Sequence, residues 1–452
     1  MTIKVIVYLL FFAAFNSTEL RASILEPPIK LKLRAKVIRT INVPLIRDSI
    51  GQAVEGSPSI ELSYKVLNPD SDKPYMFFSG GGPGMPSIDG YRLEEYAKYY
   101  RVVIIDQRGV GMSTQVDHES NLTSSKFLFE HFSTKSHTED MAYLVDQLTR
   151  ADEEFYIAGH SYGGEIVANY ISRLDEFRRP SGALFLAPGF PGMTDGMQGF
   201  VNQRTLVQID LNKHFFGNDK AFQQKIIKAK RKIKKYATRG NRAGLLANEL
   251  DTMFYWLSVN NVQKIKTAVD KILNPKVRSA SKIKNIIGNF INFADPLGVI
   301  LDWSFGERVS QVDLVKNIPP EIQGKRREWM LLEANVLLGE NVLSQIPEED
   351  RERVRYLEQE LEGVYSKTDL EKLDYYLKRL PIIIWAGEWD HFIPYNNLRK
   401  RFQEFANPEF HYFHTDPQGD HWNLLYTDPK VVVERFRYLV KKKKQIACKQ
   451  AL

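Results

Sequence analysis

Cysteine is almost absent. The chain of 452 residues has one, Cys448, close to the C-terminus. That excludes an intrachain disulfide, a thiolate metal site and a lipid-modified cysteine behind a signal segment. An oxidising compartment is permitted by this but not indicated. Long apolar stretches are also missing. Lys4 precedes the apolar run Val5–Phe15, which has the length of a signal peptide and is short for a membrane span. No internal repeat and no long low-complexity segment is visible. Strong charge is missing too: the net charge of +7 suggests affinity for acidic surfaces and does not by itself argue for nucleic acid. The apolar and charged fractions are those of a soluble globular protein, long enough for a substantial core.

The pattern that is present is strand–helix alternation. Leu31–Ile41 and Ile60–Leu67 read as two edge strands, followed by short apolar strands at Tyr75–Ser79 and Arg101–Ile105. An amphipathic helix over Glu139–Arg150 leads to the strand Phe155–Ala158, a helix from Glu165 to about Leu174, and the strand Ala183–Ala187. Such alternation argues for an open, mostly parallel sheet with helices on both faces. From residue 190 to 380 the chain turns helical and lysine-rich. One stripe there holds Phe222, Ile226, Ala229 and Ile233, ringed by basic residues on a face read as solvated. Strands return at Ile382–Trp385 and Phe410–Phe413, with helices over Asn396–Phe405 and from Pro429 to about Lys441; the basic tail Lys441–Lys444 reads as frayed. The expected organisation is a signal peptide over 1–23, a first core segment over 24–189, an inserted helical cap over 190–380 and a second core segment over 381–452. The signal implies a secreted or periplasmic protein with no stable membrane insertion.

The chemistry centres on Gly159-His160-Ser161-Tyr162-Gly163, a G-x-S-x-G sequence between a buried strand and a helix. A turn that sharp exposes the serine oxygen, and a helix start supplies N–H groups and a positive dipole end beside it. A serine hydroxyl is a poor nucleophile at neutral pH, so it needs a histidine base and an acid to orient that base. Asp390 and His421 follow Ser161 in the order serine, acid, histidine. Glu388, Asp416 and Asp420 are weaker rivals for the acid, and His160 reads as a packing residue. The negative oxygen of a tetrahedral intermediate needs donated N–H groups, for which the backbones of Tyr162 and Gly82 are the candidates. The glycine run Gly80-Gly81-Gly82 is not followed by G-K-[ST], which speaks against a phosphate cradle. No metal or organic cofactor is implied.

Together, Gly80-Gly81-Gly82-Pro83-Gly84, Asp106-Gln107-Arg108-Gly109-x-Gly111-x-Ser113, Gly159-x-Ser161-x-Gly163-Gly164, Gly387-x-x-Asp390 and Gly419-Asp420-His421-Trp422 resemble the prolyl iminopeptidase group of α/β-hydrolases. The resemblance spans roughly residues 28–195 and 380–442. It implies an α/β-hydrolase fold with a large helical cap, and a serine aminopeptidase that takes a small peptide or amino-acyl substrate. Two positions depart from the family: Gly80 stands where a histidine is usual, and Tyr162 where a tryptophan is frequent. Trp329-Met330-Leu331-Leu332-Glu333 and Glu362-Gly363-Val364-Tyr365 are similar to its cap motifs, whose glutamates hold the substrate's free amino terminus. The resemblance therefore implies an amine-binding role for Glu333 and Glu362; read from composition alone, both are ordinary surface glutamates in charged helices. A carboxylic ester hydrolase with the same triad remains open, as does a catalytically silent binding protein.

Overall fold

The computed structural model describes residues 38–48, 51–81, 86–114, 131, 133–193, 207, 210–211, 213–237, 262–283, 285–287, 368–390, 392–425 and 427–451. The signal segment, Gly82, Glu333 and Glu362 lie outside the described residues.

Eight strands make one sheet: β1 (Ile38–Pro44), β2 (Ser59–Leu67), β3 (Tyr75–Ser79), β4 (Arg101–Ile105), β5 (Phe155–His160), β6 (Gly182–Leu186), β7 (Ile382–Gly387) and β8 (His411–Asp416). Their spatial order is β1-β2-β4-β3-β5-β6-β7-β8. β2 is antiparallel to both of its neighbours, and every pairing from β4 to β8 is parallel. β2 therefore lies inside the sheet, between β1 and β4, and is not the edge strand that its alternation suggests. Its alternation arises because Ile60, Leu62, Tyr64 and Val66 join one hydrophobic cluster, while on the opposite face Ser63 Oγ donates to Met112 O and Lys65 Nζ to Ile88 O.

The central strands are apolar on both sides because both sides are covered. Side chains alternate: Phe77 joins one hydrophobic cluster while Met76 and Phe78 join the other. On the first face pack α1 (Thr134–Leu148), α2 (Tyr162–Ser172), α5 (Leu370–Leu377) and α6 (Tyr395–Phe405), through residues such as Val145, Ile166, Leu373 and Leu398. On the second pack the segment from Ile88 to Tyr100 and the last helix, α7 (Lys430–Ala451), through Tyr96, Tyr100, Phe436 and Leu439. Truncating one of these side chains to alanine, Phe77 for example, costs about 3–5 kcal/mol at such a site.

Two elements differ from the sequence expectation. α5 packs on α2 and contributes Leu373 and Leu377 to the sheet's own core, so core structure begins before residue 381. The basic tail is also not frayed: α7 carries it on to Ala451, and Lys443 is partly buried near Arg179, its pKa lowered by that burial to about 8. Between the two core segments, α3 (Lys220–Ala237) and α4 (Val262–Leu273) pair through a cluster of their own. The predicted stripe Phe222, Ile226, Ala229 and Ile233 meets Ile265, Val269 and Ile272.

A buried ion cluster ties the N-terminal strands to α1. Arg108 is fully buried, and its guanidinium grips Asp140 through Nε at 2.7 Å and Nη2 at 2.5 Å. It also donates to the carbonyls of Leu45 and His131, at 3.1 and 2.7 Å. Arg47 reaches the same carboxylate at 2.7 Å, and Arg173 bonds Glu139 at 3.0 Å. The planar fork of arginine suits this shared, desolvated arrangement.

Candidate active site

The strand order reverses at β3, whose neighbours are β4 on one side and β5 on the other. In an open parallel sheet the crevice at the carboxyl ends of such strands is where ligands bind. Four of the strand ends here carry the residues singled out from sequence. β3 ends at Ser79 and runs into Gly80-Gly81, and β5 ends at His160 and runs into Ser161. β7 ends at Gly387, three residues before Asp390, and β8 ends at Asp416, ahead of His421.

Ser161 sits on the sharp turn its context predicts. Its φ is +54° and its ψ −122°, a backbone region that non-glycine residues avoid. Such a conformation costs on the order of 1–3 kcal/mol and persists only where its surroundings hold it. Here the Ser161 N–H donates to Leu186 O at 3.1 Å, and Ser161 O accepts from Gly164 N and Gly189 N, each at 2.8 Å. A side chain on Gly163 would run into Ser79 O, and one on Gly159 into the backbone of Gly163. These glycines permit strand and helix to approach so closely.

Asp390 and His421 form a buried pair. His421 Nδ1 donates to Asp390 Oδ2 at 2.8 Å. The other oxygen, Oδ1, accepts from Phe392 N at 2.7 Å and Ile393 N at 2.8 Å. Two backbone donors therefore fix the carboxylate, and the carboxylate fixes the imidazole with its proton on Nδ1. Nε2 is left with a lone pair, which is the state a general base needs. The rivals Glu388, Asp416 and Asp420 do not bond to His421; Glu388 is exposed, and Asp420 accepts from Trp422 N at 2.9 Å.

His160 brings the serine turn and the base loop together. Its ring centroid is 4.7 Å from that of His421, and its Nε2 lies 2.8 Å from His421 O. Ser161 Oγ itself makes no hydrogen bond to His421 in this structure. On the opposite side of the serine stands Gly81. A side-chain carbon there would fall 2.7 Å from Ser161 Cβ and 3.2 Å from Ser161 Oγ. Gly81 N donates to Tyr91 Oη at 2.6 Å, and Gly80 O accepts from Gln107 Nε2 at 3.1 Å. The loop entering Gly82 is thus held on both sides. Tyr162 opens α2 next to the serine, while its hydroxyl bonds Thr134 Oγ1 at 2.9 Å and His137 Nδ1 at 3.0 Å.

The Asp106–Ser113 segment braces this loop from below. Asp106 Oδ1 accepts from Ser87 N at 2.6 Å and Ile88 N at 2.9 Å, and Oδ2 accepts from Met112 N at 2.9 Å. Gly111 has φ +58°, and any side chain there would strike the Asp106 carboxylate. Ser113 Oγ donates to Asp106 O and accepts from Ser63 N, each at 2.9 Å.

A family model described as the alpha/beta hydrolase fold matches residues 80–181, the stretch from the glycine loop through the serine turn to the approach of β6. This is an α/β-hydrolase fold. A curated proline iminopeptidase from Aeromonas sobria is 30% identical to the chain over 111 residues. That match covers 23% of this chain and 26% of the relative, about a quarter of the relative's length. Among solved structures, a thermophilic esterase from Thermogutta terrifontis superposes with a TM-score of 0.42 at 13% identity, over 90% of this chain and 99% of that one. A proline iminopeptidase from Mycobacterium smegmatis gives 0.38, also at 13% identity, over 90% and 100%.

Several contributors to this site carry no sequence signal of their own. Tyr91 lies in an irregular segment, and nothing in its neighbourhood marks it. The glycine run predicts a tight loop without saying that Gly81 is the member against the serine. Trp389, beside Asp390, packs against His214 with ring centroids 4.3 Å apart and so ties the acid loop to the helical region. Only the topology brings those two residues together.

Proposed function

We propose that the chain is a serine hydrolase that works by acyl transfer, with Ser161 as nucleophile, His421 as base and Asp390 as the residue that orients it. The observation that supports this most is the Asp390–His421 pair at 2.8 Å, buried beside a serine held at φ +54°. In this reading His421 Nε2 takes the hydroxyl proton as Ser161 Oγ attacks the substrate carbonyl. The backbone N–H groups of Tyr162 and Gly82 stabilise the resulting oxyanion. His421 then passes the proton to the leaving group, and water activated by the same histidine releases the acyl group.

The finer reading is an aminopeptidase that removes N-terminal proline or another small apolar residue from small peptides. It draws on the motif resemblance and on the partial match to a proline iminopeptidase. In it, Glu333 and Glu362 hold the substrate ammonium, a charge that needs a carboxylate once it leaves water. The Lys4 and Val5–Phe15 pattern supports export from the cytoplasm. Intact mass of the protein from its own host tests export: a full-length cytoplasmic chain refutes it.

The activity is tested with amino-acyl arylamides, N-blocked arylamides and simple aryl esters, using wild type and Ser161→Ala. The aminopeptidase reading expects turnover of free-amine arylamides only, abolished in Ser161→Ala. Equal rates on blocked and free substrates would replace it with an ester or general acyl hydrolase. Full activity in Ser161→Ala would overturn the nucleophile itself.

A further inference from the structure

His160, the residue just before the nucleophile, uses both ring nitrogens. Nε2 lies 2.8 Å from the carbonyl oxygen of His421, and Nδ1 lies 3.0 Å from Tyr91 Oη. The direction of each bond follows from the groups themselves. A carbonyl only accepts, so the proton sits on Nε2. The opposite tautomer would set a ring lone pair against that oxygen. The ring is fully buried, and burial with His421 nearby lowers its pKa to about 3, so it is neutral and Nδ1 holds a lone pair. Nδ1 therefore accepts from the Tyr91 hydroxyl. The Tyr91 oxygen in turn accepts from Gly81 N at 2.6 Å. Three hydrogen bonds thus run one way, from Gly81 through Tyr91 and His160 to the backbone of the base.

The chain joins three loops from distant parts of the sequence. Gly81 lies against Ser161, with room for no side chain between them. His160 adjoins Ser161 covalently, and His421 carries the base. We propose that His160 is a positioning residue: with Tyr91 it fixes the spacing of the Gly81 loop and of His421 about Ser161. The inference rests on the serine hydrolase reading. Buried chains of this kind specify one geometry when every member is satisfied. A misplacement of about 1 Å in a reacting group can cost on the order of 100-fold in rate. Packing alone would not require a histidine; a phenylalanine would fill the same space between Tyr91, His421 and Trp422.

The test is the rate at which a fluorophosphonate labels Ser161. In that reaction the serine oxygen bonds to phosphorus, fluoride leaves, and the hydroxyl proton passes to His421. It reports on the serine, the base and the oxyanion donors without needing the natural substrate. His160→Phe removes both ring bonds and keeps an aromatic ring. Tyr91→Phe removes one oxygen that serves two of the three bonds. His160→Gln places an amide N–H where it can still donate to His421 O. We expect labelling to slow about 10- to 100-fold in both phenylalanine variants, with most of the loss recovered in His160→Gln. Steady-state kinetics should show the loss in kcat with KM little changed. A folded His160→Phe or Tyr91→Phe protein labelled at the wild-type rate overturns the proposal. A lower melting temperature with an unchanged rate would also overturn it, by making the chain merely structural. If His160→Phe does not fold, Tyr91→Phe decides, since it deletes a single atom. A wild-type protein that is not labelled at Ser161 refutes the hydrolase reading itself, and the positioning role falls with it.

Discussion

Replacing Asp390 with asparagine tests the acid–base pair at the level of a single proton. The side chain keeps its size, and the surroundings decide which way the amide turns. Oδ1 faces two backbone donors, Phe392 N at 2.7 Å and Ile393 N at 2.8 Å. The amide NH2 cannot face two N–H groups, so the oxygen stays there and the NH2 turns to His421. At 2.8 Å it must donate to Nδ1, which forces the imidazole proton onto Nε2. A protonated Nε2 cannot accept the proton of Ser161. The predicted effect is a fall in kcat on the order of 10⁴, about 5.4 kcal/mol in barrier, the size seen when a triad base is held in the wrong tautomer. KM should change little, because the geometry is preserved. The assay is kcat at neutral pH on whichever arylamide or aryl ester the wild type turns over. An Asp390→Asn enzyme within tenfold of wild type would refute the orienting role of Asp390 and with it the deduced tautomer.

Other outcomes follow from the same geometry. Gly81→Ala puts a carbon 2.7 Å from Ser161 Cβ, so kcat/KM should fall about 100-fold with a stability loss of only about 1–3 kcal/mol; kinetics on the folded variant check this. Arg108→Met leaves buried carbonyls and part of the Asp140 carboxylate without their donor, and should cost about 3–5 kcal/mol in denaturant unfolding. Burial keeps His137 and His160 neutral, their pKa values lowered to about 3, and that of His411 lowered to about 4. Below their unfolded pKa near 6.5 the unfolded chain binds more protons than the native one. Stability should therefore be full above that pH and decline as pH falls toward 4. The slope should approach about 4 kcal/mol per pH unit near pH 5 if all three contribute, measured as the shift of the urea midpoint.

Much of the sheet was legible because its central strands are short, mostly apolar runs bounded by polar residues, glycine or proline. β3 and β4 fall where the sequence puts them, since burial on both faces makes their central residues wholly apolar between polar ends. The register of β2 was not legible. A strand with one apolar and one polar face alternates like an edge strand, and the partner that lies beyond it is set by topology. Asp390 and His421 were readable from chain order and from their places after strands, and the structure pairs them. The role of His160 was not readable, because a histidine on an elbow looks the same in sequence whether it packs or conducts hydrogen bonds. The Asp106–Ser113 segment is specific in sequence, yet its work is mechanical. Asp106 caps the turn at Ser87, Gln107 holds Gly80, and Arg108 grips Asp140.

The neighbours β6 and β7 are joined at Leu186 and Trp385, yet they are far apart along the chain. During synthesis, roughly 190 residues separate their emergence, a delay on the order of 10–40 s at ordinary elongation rates. Through that interval Ser161 has already been made while its acid and base have not. On the proposed hydrolase reading, a ribosome-bound chain would carry Ser161 without the pair that activates it. Over the same period β6 has no strand beyond it, an open ladder of backbone groups that invites pairing with another chain. Arrival of β7 and β8 closes that ladder and delivers Asp390 and His421 in one event. The edge of β6 and the pairing of Asp390 with His421 are therefore both completed by the last part of the chain to be made.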